Sequence, residues 1–256
     1  METLSLALTI SYIGTGFHGF ARQDKLPTVQ GELEAALAVF YGREVLTVGA
    51  GRTDTGVHAL GQVVSLELSA DEFSRCSLAS LRKSLNALTP DSITVREIQE
   101  KPAGFSARFS AVEREYRYRL VASETPPIFL APYAWWLPER HLDDNAMKAA
   151  ALALQGEHDF RTFCVAASSA DKNTVREIKS INLFSMDHLG EPCTVVQVIG
   201  NAFLHSMVRI IVGSLAEIGQ RRRDPQWMAE ILQARDRRLA GPTAPAHGLT
   251  LWRVRY

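Results

Sequence analysis

Gln62-Val-Val-Ser-Leu-Glu-Leu68 alternates apolar and polar side chains with period two, the signature of a half-buried strand, and its neighbours on either side decide the fold. Moving toward the N-terminus, a glycine-rich loop (Gly49 to Ala59) precedes it, then a short strand pattern from Glu44 to Val48. Before that, Thr28 caps a helix in which Val29, Leu33, Leu37 and Phe40 share one face and Gly42 ends the run. The alternating Leu4-Ser-Leu-Ala-Leu-Thr-Ile-Ser11 supplies the first strand. Moving toward the C-terminus, Ser77 caps a helix with Leu78, Leu81, Leu85 and Leu88 aligned, and Ser92 to Ile98 is a fourth strand. The order is β-α-β-β-α-β, the split βαβ or ferredoxin-like arrangement.

The remaining chain repeats this order more loosely: strand Tyr116 to Val121, helix Asp143 to Leu154, strands Arg176 to Ser185 and Thr194 to Gly200, helices Phe203 to Ile218 and Pro225 to Ala234, and a last strand Leu249 to Tyr256. Residues 101–110, with Pro102 and Gly104, read as the boundary, giving domains 1–104 and 105–256. The expected class is α+β: two ferredoxin-like or RRM-like halves forming a mixed, mostly antiparallel sheet, facing one another across a central cleft.

At 256 residues and 46% hydrophobic, the chain buries a substantial core. No apolar run approaches the ~18 residues that cross a bilayer, and Met1-Glu-Thr-Leu-Ser5 lacks a signal peptide's basic region, so a cytoplasmic protein without a membrane partner is expected. Cys76, Cys164 and Cys193 lie far apart and the histidines lack ligand spacing, which predicts no disulfide framework and no metal. Net charge is +0, but of the 28 cations 22 are arginine, and the excess of cations over acids falls in residues 105–256. Arginine suits bidentate phosphate contact and stacking on bases.

Gly49-Ala-Gly-Arg-Thr-Asp-Thr-Gly-Val-His-Ala59 places the carboxylate of Asp54 between glycines and close in sequence to Arg52. Two readings stand: an Asx turn holding its own loop, or a catalytic acid. Arg52 favours the second, because a cation within ~4–6 Å lowers a carboxylate's pKa and keeps it an anion, available as nucleophile or base. Asp54-Thr-Gly56 also spells the D-T-G of aspartic proteases, but that chemistry needs two carboxylates sharing a proton and the chain has one copy.

In Arg108-Phe-Ser-Ala-Val-Glu-Arg-Glu-Tyr-Arg-Tyr-Arg119, strand alternation sends Tyr116 and Tyr118 to one face and Arg117 and Arg119 to the other. They read either as core tyrosines backed by solvated cations or as a platform for an extruded base. Phe203, Met207, Ile210 and Ser214 recur at helical spacing, and Arg209 among them either snorkels to the surface or pairs with a buried anion. Arg221-Arg-Arg223 either complements a helix C-terminus or contacts phosphate.

Six collinear segments resemble the TruA family of tRNA pseudouridine synthases. They are Tyr12-Ile-Gly-Thr-Gly-Phe-His-Gly-Phe20 with Thr28-Val-Gln30, Gly51-Arg-Thr-Asp54 with Gly61-Gln-Val63, Phe105-Ser-Ala-Arg108 with Tyr116-Arg-Tyr118, Gly156-Glu-His-Asp-Phe160, Met207-Val-Arg-Ile-Ile-Val-Gly213 and Ala244-Pro-Ala-His-Gly-Leu249. The chain departs from the family pattern at Ile13, Ala21 and Thr55, where the family usually has Asp, Trp and Ala. The resemblance implies isomerisation of uridine to pseudouridine at positions 38, 39 and 40 of the tRNA anticodon stem-loop, by a homodimer without cofactor or metal. It implies Asp54 as nucleophile, Tyr116 against the target base, Arg209 paired with Asp54, and Arg52 filling the space the flipped nucleotide leaves, with Phe203 and Arg108 completing the substrate-binding set. The alternative is a non-catalytic tRNA-binding or chaperone protein using the same cleft.

Overall fold

A computed structural model describes residues 3–139, 141–165 and 173–256. The chain is α+β with a large, mostly antiparallel sheet, and divides into two compact units, one running up to Val112 and regaining Leu251–Tyr256, the other Glu113–Thr250. The observed division thus falls at Val112/Glu113, and the last strand is shared.

The first unit contains β1 (Thr3–Tyr12), α1 (Val29–Tyr41), β2 (Val48–Gly49), β3 (His58–Ser69), α2 (Ala70–Ser74), α3 (Leu78–Leu88) and β4 (Ile93–Lys101). β1 lies between β3 and β4, antiparallel to both, and β2 pairs with β3. Thr28 caps α1 through its hydroxyl, which accepts from the Gly31 amide, and Gly42 closes the helix in the left-handed region at φ 71°. Leu6, Leu8 and Ile10 of β1 are buried, as are Leu33 and Leu37 of α1 and Leu81 and Leu85 of α3. Each such side chain contributes roughly 1.5–3 kcal/mol by leaving water.

The expected strand Glu44 to Val48 is mostly absent, and the reason is local. The Glu34 carboxylate accepts from both the amide (3.0 Å) and the hydroxyl (2.8 Å) of Thr47, and Gln30 Nε2 donates to the Thr47 carbonyl at 2.9 Å. Side chains of α1 thereby take the backbone groups that a sheet ladder needs, and only Val48 and Gly49 pair with β3.

Two β-bulges flank the end of β1. Opposite β4 the register runs Thr9 with Glu97 but Ile10 with Val95, so Arg96 is the extra residue. Opposite β3 it runs Ile10 with Gln62 but Tyr12 with Ala59, so Leu60 and Gly61 together oppose Ser11.

α2 opens with a capping box: Ser69 Oγ accepts from the Glu72 amide, and the Glu72 carboxylate accepts from the Ser69 amide. Arg43 grips the same carboxylate through Nε (2.5 Å) and Nη2 (2.8 Å). Arg43, then the Ser69 amide, hold Glu72 well below the ordinary 4.5, at about 2. A depressed folded-state value means that the stabilisation is complete above 4.5 and disappears as pH falls through about 2. Glu72→Gln is therefore expected to cost about 1–2 kcal/mol at neutral pH. In thermal melts its deficit against wild type should shrink across that acid window; a pH-independent gap rejects the pairing as its source.

The second unit contains β5 (Glu113–Ala122), β6 (Trp135–Leu137), α4 (Asp144–Leu152), β7 (Gly156–Asp159), β8 (Val175–His188), β9 (Glu191–Gly200), α5 (Met207–Gly219) and α6 (Trp227–Ala234), and β10 (Leu249–Arg255) starts in it. Its strands run β5-β9-β8-β7, antiparallel throughout, with the short β6 parallel to β5. The helix expected from Phe203 starts only at Met207. Asn201 diverts the chain first: its amide donates to the Glu177 carbonyl (3.0 Å), its side-chain oxygen accepts from the Glu177 amide (3.1 Å), and its carbonyl accepts from Arg114 (2.6 Å). Ser206, at φ 58°, then turns the backbone into α5.

Candidate active site

Asp54 sits at a β-turn whose two ends are anchored. The Val57 amide donates to the Asp54 carbonyl at 3.1 Å, with Thr55 and Gly56 as the corner residues and Gly56 at φ 80°. That positive φ at the third turn position is the reason for glycine there. Thr55 occupies the exposed second position, which accepts most residues, so replacing the family's alanine is sterically mild.

On the N-terminal side of Asp54, Thr53 is buried, its hydroxyl is 2.8 Å from the Tyr12 hydroxyl, and its carbonyl accepts from the Phe20 amide at 3.1 Å. Earlier in the loop, Ala50 N donates to Val63 O at 2.8 Å and Gln62 Nε2 to Gly51 O at 2.7 Å. On its C-terminal side, His58 is buried and its Nδ1 accepts from the Gly14 amide at 3.1 Å. Close approach explains two glycines of the Tyr12–Phe20 segment: Gly14 packs on the Val57 carbonyl, and Gly19, at φ 90°, on the Thr53 carbonyl. The segment and the loop are therefore interlocked, and the half-buried Asp54 lies between the anchored residues.

Arg52 in the same loop is exposed. In Phe105-Ser-Ala-Arg108 the buried Ala107 is the anchor: its amide donates to Ser65 Oγ (3.0 Å) and its carbonyl accepts from Tyr256 Oη (2.9 Å). Arg108 is left exposed, its guanidinium 5.4 Å from the Phe109 ring centre.

In the second unit Tyr116 of β5 meets Phe203 edge-on, ring centres 5.2 Å apart, so the loop before α5 is held against the strand. Tyr116 and Tyr118 are both buried, at 8% and 0% exposure, and Tyr118 donates to the Pro245 carbonyl at 2.7 Å. Burial pushes the Tyr118 hydroxyl far above its ordinary range, with the Arg209 charge opposing. Tyr118 is thus a structural anchor. The arginines behind them are not solvated cations: Arg117 pairs with the buried Glu115 at 2.9 Å, and Arg119 donates to Thr250 Oγ1 at 3.3 Å.

Arg209 is half-buried on α5 and reciprocally tied to Ala244: its Nε donates to the Ala244 carbonyl (2.8 Å), and its own carbonyl accepts from the Ala244 amide (3.1 Å). Gly213, one turn on, packs on the Pro242 carbonyl, and Gly248 packs on the Tyr118 ring. Two of the sequence segments, Met207–Gly213 and Ala244–Leu249, are therefore a single packed element around Arg209 and Tyr118. Of the arginine triplet, Arg221 pairs with Asp143, Arg222 with Glu139 and Glu217, and Arg223 lies over the Trp227 ring. Carboxylates thus already engage two of the three.

Sequence reasoning passed over Tyr12, Thr53, His58 and Gln62, which fix the Asp54 loop. Tyr12, Thr53 and Gln62 stood inside recognised segments, but nothing in their spacing showed that Tyr12 reaches Thr53 across 41 residues or that Gln62 reaches back 11 residues to Gly51. Among the described residues no group of histidines, cysteines and carboxylates has a metal-site arrangement, and no helix is long and apolar enough to cross a membrane.

The family model described as tRNA pseudouridine synthase matches residues 8–110 and 150–256. The tRNA pseudouridine synthase A of Geobacillus sp. (strain WCH70) is 42% identical over 249 residues, spanning 97% of this chain and 96% of its own length. That of Brevibacillus brevis is 42% identical over 251 residues, 98% and 99% of the two chains, and that of Thermotoga maritima 39% identical over 249, 97% and 98%. With the match reaching both units and covering nearly all of each relative, the chain belongs to the tRNA pseudouridine synthase family.

Proposed function

We propose that this protein isomerises uridine to pseudouridine at positions 38, 39 and 40 of the tRNA anticodon stem-loop, as a cytoplasmic homodimer, with Asp54 as the nucleophile. The observation that carries the reading is the near full-length likeness to relatives named tRNA pseudouridine synthase A, together with an aspartate in an interlocked loop. In the reaction the bond from N1 to C1′ breaks, C5 bonds to C1′, the hydrogen on C5 is lost and N1 gains one. The product is an isomer, so no redox group takes part. A fixed carboxylate serves either by attacking C1′ or by adding to the uracil ring, holding one fragment while the base rotates.

Tyr116 is the proposed contact to the base and Arg209 the partner of the Asp54 carboxylate, with Arg52 in the space left by the flipped nucleotide and Phe203 and Arg108 on substrate. Extruding the base costs a few kcal/mol, which phosphate contacts offset. Loss of the C5 hydrogen supplies the test. Transcripts carrying 5-tritiated uridine at only one of positions 38, 39 or 40 should each release tritium, and a transcript with cytidine at all three should release none. Binding without release from any of them leaves a tRNA-binding protein instead.

A further inference from the structure

Several arginines of this chain are held by carboxylates, such as Arg22 by Glu34 and Arg43 by Glu72. One cluster in the first unit differs. Arg82 and Lys83 on α3 and Arg96 on β4 are exposed, and among the described residues none of the three is paired with a carboxylate. Two adjoining grooves of about 670 and 600 Å3 share Arg82 and Arg96; Lys83, Asn86 and Ser11 line the first, Trp252 and Arg253 the second. Among the described residues Glu97 is the single acid lining them, and it accepts from Gln99 at 2.7 Å.

The two arginines are positioned by uncharged partners. Arg82 Nη1 donates to the Arg96 carbonyl (3.0 Å), Arg96 Nη1 to Ser11 Oγ (3.2 Å), and Ser11 Oγ to the Leu60 carbonyl (2.7 Å). This chain runs through both bulges: Arg96 is the extra residue of β4, and Leu60 belongs to the pair opposing Ser11 on β3. Bulges re-aim side chains, and two of them converging on one serine aim a guanidinium out of the sheet. Gly61 lets β10 approach closely, because a Cβ there would lie 2.6 Å from the Trp252 carbonyl. Asn86 completes the frame by pairing with both backbone groups of Val95 at 2.7 and 2.9 Å, which also covers the free edge of β4.

We propose that this groove is a second RNA contact, separate from the Asp54 loop, in which Arg82, Lys83 and Arg96 take consecutive phosphates of the sugar-phosphate backbone. Guanidiniums held by a carbonyl and a hydroxyl keep their full charge and their remaining donors for phosphate oxygens. The half-buried Trp252 also lines the second groove, and cations beside an aromatic residue suit nucleic acid better than an acidic peptide. Ser11 and Tyr12 are neighbours on β1 with side chains on opposite faces, so the groove reports on the face turned away from the Thr53 anchor.

The inference rests on tRNA as substrate, and the experiment separates the two. The full-length Arg82→Glu/Lys83→Glu protein, and an Arg82→Gln/Lys83→Gln version, are compared with wild type for tRNA Kd over a series of salt concentrations and for tritium release at saturating tRNA. Charge reversal should weaken binding by about 10-fold or more and lower the slope of log Kd against log salt by about two, roughly one per lost phosphate contact. The neutral pair should show the same slope change, and kcat at saturation should stay at the wild-type value. Arg238→Glu, whose charge is already engaged by Asp236, is the control and should leave the slope unchanged. Wild-type Kd and slope in both groove variants would overturn the proposal, as would loss of binding to a polyglutamate peptide in place of tRNA. Failure of the wild-type enzyme to release tritium would instead count against the isomerase reading while leaving the binding comparison intact.

Discussion

Asp54→Asn is expected to abolish tritium release from 5-tritiated uridine in tRNA, by at least about 10³-fold in kcat, with tRNA affinity within a few-fold of wild type. The substitution is nearly isosteric and leaves the loop's supports in place. These are backbone groups and other side chains: the Val57 amide on the Asp54 carbonyl, Tyr12 on the Thr53 hydroxyl, Phe20 on the Thr53 carbonyl and Gly14 on His58. What it removes is the anion. An amide cannot form the bond to C1′ or to the uracil ring that lets the base rotate while held, and no other group in the 49–59 loop is a carboxylate. Release at the wild-type rate would remove Asp54 from the mechanism whatever the fold, and a parallel fall in affinity would make it a binding residue. Arg209→Ala should act in the same direction, reducing kcat more than affinity, although its tie to Ala244 adds a stability cost of roughly 1 kcal/mol that Arg209→Lys reduces only in part.

The elements legible in the sequence were those whose signal is local. Thr28, Gly42 and Ser77 mark helix ends by capping chemistry that depends on neighbours within four residues, and the alternating runs of β1 and β3 depend on period alone. Long-range capture of backbone groups was not legible. Glu34 and Gln30 draw Thr47 out of the sheet across 13 and 17 residues, and Asn201 ties itself to Glu177, delaying α5 to Met207. At the candidate site, motif resemblance singled out Asp54 and the second-unit residues Tyr116, Phe203 and Arg209 as candidates. Most supports next to Asp54 come from the Tyr12–Phe20 segment, some 33 to 44 residues earlier, and a hydroxyl pair such as Tyr12 with Thr53 leaves no periodic trace. The arginine pattern shows the same limit: the loudest cationic run, Arg221–Arg223, is largely committed to acids, whereas Arg82, Lys83 and Arg96, scattered in sequence, share a groove.

Gly14→Ala should cut kcat by about 10²-fold while changing tRNA Kd by less than about threefold, because it moves Asp54, the proposed nucleophile, and not a group proposed to contact substrate. Gly14 has an ordinary backbone conformation, so the demand for glycine there is one of space: a Cβ would collide with the carbonyl of Val57. Val57 is the residue whose amide closes the turn on Asp54, and its neighbour His58 accepts from the Gly14 amide. The backbone carbonyl cannot rotate away independently, since the Val57 side chain and His58 are both buried. Relief therefore comes from shifting the Asp54 turn or the Gly14 segment, on the order of 1 Å, with an overpacking cost of about 1–3 kcal/mol. Gly16→Ala supplies the control two residues away, where an added Cβ meets nothing within 4 Å. Assays run well below the midpoint of thermal unfolding separate displacement from instability. If Gly14→Ala turns over like Gly16→Ala, the interlock between the two segments does not position Asp54; a selective loss in kcat assigns the first glycine of Gly14-Thr-Gly16 to holding the proposed nucleophile in place.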